Sequence, residues 1–318
     1  MTAPELSMLW ESTDAETALA QRFRFDTAEI AAHWLTDRMS RGYGVAVTSV
    51  DRLVISARSL LAWMSAPDGP LIAKCSVVPG AHRRLAAIGD LLVRLREQGL
   101  PVAARLTDRT GAAQVGWEHL SLGVQRVVRG ELLDPADHRQ AHVAGATLAR
   151  LHQALAEYPR VAELDSGTAR STPMSDFDEY LRSAPADDDP PPVAAAIRTL
   201  LDRADGLDEL GAERQLVHGD FRASNILWDN DGVSAVLDFE EMGRRHRVED
   251  LAQASVLLGT RYHNWAPISA EIRSAFLAGY QELQPLTQHE WDWFPLMMLR
   301  HGIGMARGGD LRWLEGLS

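Results

Sequence analysis

The stretch that most restricts this 318-residue chain is residues 216–240, LVHGDFRASNILWDNDGVSAVLDFE. Two apolar runs flank Asp231-Gly232, a pair that favours a two-residue hairpin because such turns need positive φ at both central positions. With those two residues in the turn, Asn230 pairs with Val233, Trp228 with Ala235 and Ile226 with Leu237. Asn225 and Asp238 then leave the open end side by side, within about 6 Å of each other in a pair of this kind. An amide oxygen beside a carboxylate suits Mg²⁺, a hard ion that takes few protein oxygens when phosphates and water fill its other positions. Asp220 stands one loop upstream, free to face whatever reacts with a phosphate bound to that metal.

Composition narrows the setting. Apolar residues make up 46% and charged residues 24%, an ordinary balance for a globular protein, and the length suffices for two sub-domains. A formal charge of −12 argues against nucleic acid as a partner, since that affinity comes mainly from basic residues meeting phosphates. No apolar run approaches the roughly 20 residues that span a bilayer, so no membrane association is expected. The acidic start MTAPELSMLWES lacks a secretion signal, and Cys75 is the sole cysteine, so a reducing cytoplasm is the expected compartment. The chain also carries a single lysine, Lys74, among 32 basic residues. A lysine kept where arginine is used everywhere else suggests a place for a compact ammonium, although one stray lysine is also compatible with chance.

Along the chain, a short helix over 15–23 precedes one capped by Asp26 or Thr27 and stopped by Gly42-Tyr43-Gly44. Strand-like runs follow at 47–55, 59–65 and 70–78, and Ala66-Pro67-Asp68-Gly69 is a clear turn. Lys74 lies in the middle of the third run, a costly place for an ammonium unless it projects into a polar cleft, while Cys75 points to the opposite face as a small buried hydrophobe. Helical spacing marks 79–98, 136–157, 193–205, 269–282 and 289–307, with another helix opening at Glu249. Short strands are expected over 102–106 and 125–128. His138 and His142 share a helix face, but without a third ligand a solvated face is the better reading. Residues 183–192, SAPADDDPPP, form an acidic, proline-rich loop.

The spacing His218-x-Asp220-x₄-Asn225, followed by Asp238-Phe239, resembles the catalytic loop and metal-binding aspartate of kinases. His218-Gly219-Asp220 resembles in particular the small-molecule branch, the aminoglycoside phosphotransferase and choline kinase-like enzymes. Gly130-Glu131-Leu132-Leu133 and Leu148-Ala149-Arg150-Leu151-His152 resemble further landmarks of that family. The resemblance covers roughly 45–300. It implies an α+β, protein-kinase-like two-lobe fold. A small antiparallel-sheet lobe over 1–124 would clamp the nucleotide, and a larger, mainly helical lobe over 125–318 would carry the catalytic loop, metal site and acceptor pocket.

Roles follow from the resemblance, residue by residue. Asp220 orients the acceptor hydroxyl and takes its proton late. Arg222 either steadies the γ-phosphate or is a surface arginine, two readings held evenly. Asn225 and Asp238 hold Mg²⁺, and Lys74 contacts the nucleotide phosphates. The turn containing Ser56 and Arg58 closes over them, and residues 122–126 form the adenine hinge. His218 is a structural hydrogen-bonder, and Asp250 braces the catalytic loop. Related kinases pair the strand lysine with a helix glutamate, but near that place this chain has Ile88, leaving Asp90 and Glu97 as candidates. The donor is ATP, with GTP open because hinge contacts come from the backbone. The acceptor is a small-molecule hydroxyl, with a lean to an amine-bearing, aminoglycoside-like or amino-alcohol acceptor that Glu240 and Glu241 could face. A Mg-dependent phosphohydrolase and a catalytically silent nucleotide-binding module are the alternatives. Monomer and homodimer are equally compatible.

Overall fold

The computed structural model describes residues 3–78, 80–164, 189–208, 210, 213–230 and 232–317. The chain divides into two compact units, Met1–Arg129 and Gly130–Ser318.

The first unit is a sheet with helices. Strand β1 (Glu5–Met8) lies parallel to β2 (Ser49–Ile55), and β3 (Ser59–Ser65) and β4 (Leu71–Ser76) continue it as an antiparallel meander. Beyond β4 comes β7 (Leu120–Arg126), whose far edge pairs with both β5 (Arg105–Leu106) and β6 (Val115–Trp117). Strand β1 falls in a segment whose sequence carries little pattern, and the expected strands at 102–106 and 125–128 are corrected. The first shrinks to two residues and the second is the end of a longer strand starting at Leu120. Every β7 residue up to Val124 is buried, so this strand reads as a continuous apolar run without alternation.

Helix α1 (Ala15–Ala18) and helix α2 (Ala28–Arg38) each run into a wider π turn, and α2 is capped by Thr27. Gly44, at φ 68°, ends the second turn in the left-handed region that glycine occupies without strain. Phe23, Leu35 and Met39 seal this layer against Leu53, Ile55, Leu60 and Met64 of the sheet. Helix α3 (His82–Glu97) buries Leu85, Ile88, Leu91, Leu92 and Leu95, the stripe its spacing predicts.

The second unit is mainly helical. Its helices are α4 (His138–Ala156), α5 (Val161–Leu164), α6 (Pro191–Ala204), α7 (Arg247–Leu257), α8 (Ala270–Leu283) and α9 (Gln288–Ala306). Helices α4 and α8 cross with backbones touching. A methyl group on Gly145 would overlap the Phe276 carbonyl, and one on Gly279 would overlap the His142 carbonyl. Small residues at a crossing allow that approach, and it carries His152 of α4 to Tyr280 of α8. His142 pairs with Glu282 across the same helices at 3.0 Å, and no cluster of three metal-ligating side chains occurs among the described residues. Of the acidic stretch 183–192, residues 183–188 lie outside the described residues, and Asp189 pairs with Arg307 at 2.8 Å.

Two small sheets hold the loops of this unit. Strand β10 (Ile226–Asp229) lies between β8 (Glu131–Leu132) and β11 (Gly232–Val236), and β9 (Gln215–Val217) pairs with β12 (Gly243–Arg245). The hairpin is present, but its expected register is corrected. Asp229 pairs with Gly232 and Trp228 with Val233, whereas Leu227 pairs with Ala235 and Ile226 with Val236. Gly232 therefore belongs to a strand, and the connection starts at Asn230, whose φ of 52° is one that asparagine tolerates. An irregularity between Leu227 and Trp228 shifts the register by one residue.

Candidate active site

The loop between β9 and β10 carries His218, Gly219, Asp220, Arg222 and Asn225, and each is held by a backbone contact that can be traced. His218 is fully buried. Its Nδ1 accepts the Asp220 backbone N–H at 3.1 Å, which leaves the proton on Nε2 to donate to the Leu237 carbonyl at 3.0 Å. That is a neutral ring, in keeping with burial holding its pKa below the ordinary histidine value. One imidazole thus ties the loop to the residue preceding Asp238. Gly219 has a φ of 82°, and a side chain there would run into the Glu241 carbonyl, so the position admits glycine for two independent reasons.

Asp250, near the start of α7, supports the loop from the other side. Its Oδ2 accepts the His218 backbone N–H at 3.2 Å and its Oδ1 that of Gly219 at 2.8 Å. His152 Nε2 meets Oδ2 at 2.9 Å, and His152 Nδ1 meets the Tyr280 hydroxyl at 2.8 Å. Burial pushes the Asp250 carboxyl up, but the hydrogen bond and charge from His152, together with His218 and Arg245, outweigh it and leave it below the usual range. Gln253, one turn along α7, donates to the Gly219 carbonyl at 3.0 Å.

Asn225 ends a short 3-10 turn, Ala223–Asn225. Its Nδ2 donates to Asp220 twice, to the carbonyl at 2.9 Å and to Oδ2 at 2.7 Å. Its carbonyl accepts the Leu237 N–H at 2.8 Å, so the hairpin end sets Asn225 opposite Leu237, with Asp238 next in the chain. Asp238 is exposed and sits at φ 58°, a left-handed conformation unusual for a residue other than glycine. Strained positions of this kind cost about 1–3 kcal/mol and persist where surrounding structure enforces them. The amide nitrogen of Asn225 is committed to Asp220, which leaves its Oδ1 as the oxygen donor on this side. With the Asp238 carboxylate it would offer a hard divalent ion two oxygen donors of the kind such an ion takes. Phe239 is buried and packs its ring against His218 at 4.6 Å.

Asp220 itself is pushed up to about 6, first by burial and then by the charge of Asp238, with Arg222 and Asn225 opposing. Arg222 Nε lies 2.9 Å from Asp220 Oδ1, yet among the described residues that Nε has no aligned hydrogen-bond acceptor. The contact is a charge pair more than a directed bond. The guanidinium also lies 5.3 Å from the ring centre of Trp265, a residue the sequence does not single out.

Lys74 and the Ser56–Arg58 turn belong to the first unit. Lys74 is half-buried in β4, where it pairs with Leu61 on one side and Gly123 on the other, and Cys75 beside it is fully buried. Burial raises the Cys75 thiol to about 12, so it is inert. Ser56 is engaged within its own turn, where its Oγ accepts the Ser59 N–H at 3.2 Å, and Arg58 is exposed. Asp90 and Glu97 both lie on the exposed side of α3. Sequence reasoning missed His152 as the partner of Asp250. Its place four residues after Leu148 on a buried helix face was the available signal.

A sheet-based first unit and a helical second unit with an Asp220–Asn225–Asp238 corner define a kinase-like α+β fold. The solved structures agree: a spectinomycin phosphotransferase in complex with ADP and spectinomycin shares the fold at a TM-score of 0.62, 14% identity and 90% coverage of both chains. An amicoumacin kinase solved with AMP-PNP and Ca²⁺ superposes at 0.62 with 17% identity over 88% of this chain and 87% of that one. Residues 62–294 match the model of the phosphotransferase enzyme family, APH, and the chain belongs to that family. Among curated proteins it is similar to the homoserine kinase of Beijerinckia indica, 26% identical over 222 residues, which span 70% of this chain and 65% of that protein. The homoserine kinase of Neisseria meningitidis is 28% identical over 161 residues, 49% of this chain and 48% of the other. The match thus spans less than two thirds of either relative's length. No helix among the described residues is long and apolar enough to cross a membrane.

Proposed function

We propose that the protein is an ATP-dependent kinase that transfers the γ-phosphate to a hydroxyl of a small, amine-bearing molecule. The observation that carries this reading is the corner at Asp220. A largely buried carboxylate is fixed by Asn225 and the Asp250-braced loop, and it lies within electrostatic reach of Asp238. Phosphoryl transfer asks mainly for positioning and charge neutralisation, and this arrangement offers both.

In the reaction, the acceptor oxygen bonds to the γ-phosphorus while the bond from that phosphorus to the bridging oxygen breaks and ADP leaves. The hydroxyl proton passes to Asp220. With its pKa raised to about 6, Asp220 is a better base than a solvated carboxylate, but still too weak to ionise an alcohol beforehand, so it orients the hydroxyl and receives the proton late. Arg222 steadies the transferring phosphate. Mg²⁺, when bound, would be held by Asn225 and Asp238 and would neutralise phosphate charge. Lys74 of the first unit, expected to serve as the nucleotide clamp, would carry the charge of the non-transferring phosphates, and Ser56 and Arg58 are proposed as further nucleotide contacts. His218 and Asp250 keep the loop in shape.

The amine in the acceptor is supported by the company the chain keeps. Homoserine kinases are among its relatives and an aminopropanol kinase shares its fold at a TM-score of 0.62. Homoserine and aminopropanol each carry an amine and a hydroxyl on a short chain. The test is coupled ADP release with ATP and Mg²⁺ over hydroxylated amines, amino acids, sugars and aminoglycosides, run beside Asp220→Ala. Turnover that requires an amine-bearing acceptor and vanishes in the variant is expected. ADP formation indifferent to acceptor would indicate a phosphohydrolase, and nucleotide binding without turnover a silent module.

A further inference from the structure

Trp265 is the feature of the second unit that the reaction above does not use. It follows α7 in a short segment, and with 47% of its surface exposed it is a costly residue to leave in water. Its indole N–H donates to the Tyr262 carbonyl at 2.6 Å, which fixes the plane of the ring. The segment is also pinned to the catalytic loop. Ala223 N–H donates to the Leu258 carbonyl at 3.0 Å and Ser224 N–H to that of Thr260 at 3.2 Å. Arg261 and Asn264 exchange both backbone hydrogen bonds, and the Arg261 guanidinium reaches back to the Leu132 and Leu133 carbonyls. A loop so tied presents Trp265 to Arg222 as a rigid surface.

Arg222 needs one. Its Nε contact with Asp220 is short, at 2.9 Å, but off the N–H axis, so that contact by itself does not fix the plane of the guanidinium. The indole face 5.3 Å away restricts that plane, because a guanidinium over a Trp ring gains both electrostatic attraction and stacking. From this geometry we infer that Trp265 is a positioning residue, holding the Arg222 guanidinium against Asp220 so that its remaining N–H groups are presented to the transferring phosphate. The inference rests on the kinase reading for its consequence, but its structural half, an ordered Arg222, stands independently.

Two measurements separate those halves. In steady-state kinetics, Trp265→Ala should lower kcat about three- to tenfold, the scale of one cation–π contact, while KM for ATP stays within about twofold. Trp265→Phe should recover most of the rate. In an Arg222→Ala background, Trp265→Ala should cost nothing further, since the residue it positions is gone. A full additive loss in that background, or Phe no better than Ala, overturns the inference. The second measurement is ¹⁵N relaxation of the Arg222 side-chain Nε–H, assigned with Arg222→Lys. Its order parameter should be high in the wild type and Trp265→Phe and fall in Trp265→Ala. An unchanged order parameter in Trp265→Ala refutes the positioning role even if no acceptor is turned over. Absence of turnover with the expected loss of order would refute the kinase reading alone.

Discussion

At the scale of single residues, Asp220 is placed against its own stability. Burial and the Asp238 charge raise its pKa to about 6, so the folded protein binds its proton more readily than the unfolded chain does. The stability this confers is fully present below the unfolded value near pH 3.9 and is lost as pH rises through about 6. At pH 7.5 the ionised side chain is therefore a burden, and Asp220→Asn removes it while keeping an oxygen for Asn225 Nδ2. The variant should be more stable than the wild type at pH 7.5 by about 1–3 kcal/mol, with the gain shrinking towards pH 4. Denaturant melts across that range would show it. Transfer should drop by at least about 100-fold in the same variant, the usual cost of losing a positioned acid–base group. A destabilised variant at neutral pH would mean that Asp220 is not the buried, penalised carboxylate described above. Asp238 shows a related compromise in its backbone, a left-handed φ at a residue other than glycine.

At the scale of elements, the loop that carries Asp220 depends on a helix crossing that packs against it, with the Phe276 ring 6.2 Å from that of Phe221. Gly145 and Gly279 let α4 and α8 touch, and that contact sets His152 between Tyr280 and Asp250. Gly145→Ala or Gly279→Ala must push the helices apart, because the obstruction is backbone and cannot rotate away. Each should cost about 1–3 kcal/mol, in the range of overpacked cores. At roughly 2–4 °C per kcal/mol for a unit of this size, the fall in Tm is easily read by calorimetry. Gly232→Ala is the control, since open space surrounds its missing Cβ, and it should melt within about 1 °C of the wild type. Equal melting of all three would show that the crossing is looser than it looks. Nothing in the sequence announces this crossing, because an isolated glycine in a helical run carries no local sign of the helix it will touch. The hairpin was legible for the opposite reason, its signal being local. Its register was not, because the irregularity after Leu227 follows from pairing with β8 as well as β11. The place of Lys74 within the third strand, the strand meander and the leucine stripe of α3 were legible from local pattern, whereas β1 was not. That strand is short and is specified by the partner edge it finds on β2. Trp265 escaped notice because its importance lies in a contact with Arg222, 43 positions away in the chain.

At the scale of the whole molecule, the net charge of −12 acts on whatever approaches the site. Such a field attracts cations from beyond contact range, and salt shortens that range from about 30 Å at 0.01 M to about 8 Å at physiological ionic strength. Under the function proposed above, aminopropanol, a monocation at neutral pH, and homoserine, a zwitterion with no net charge, are test acceptors that separate an effect of net charge from one of local recognition. With ATP and Mg²⁺ saturating, raising NaCl from about 0.02 M to about 0.3 M should lower kcat/KM for aminopropanol several-fold. The same change should alter that for homoserine by less than about twofold, because attraction at its amine is offset by repulsion at its carboxylate. A drop confined to the cation would show that the negative field of the molecule reaches the approach path of the acceptor. Equal salt slopes would instead mean that the charge is spread over the surface without reaching the site, and the preference for an amine would then have to rest on contacts made after docking.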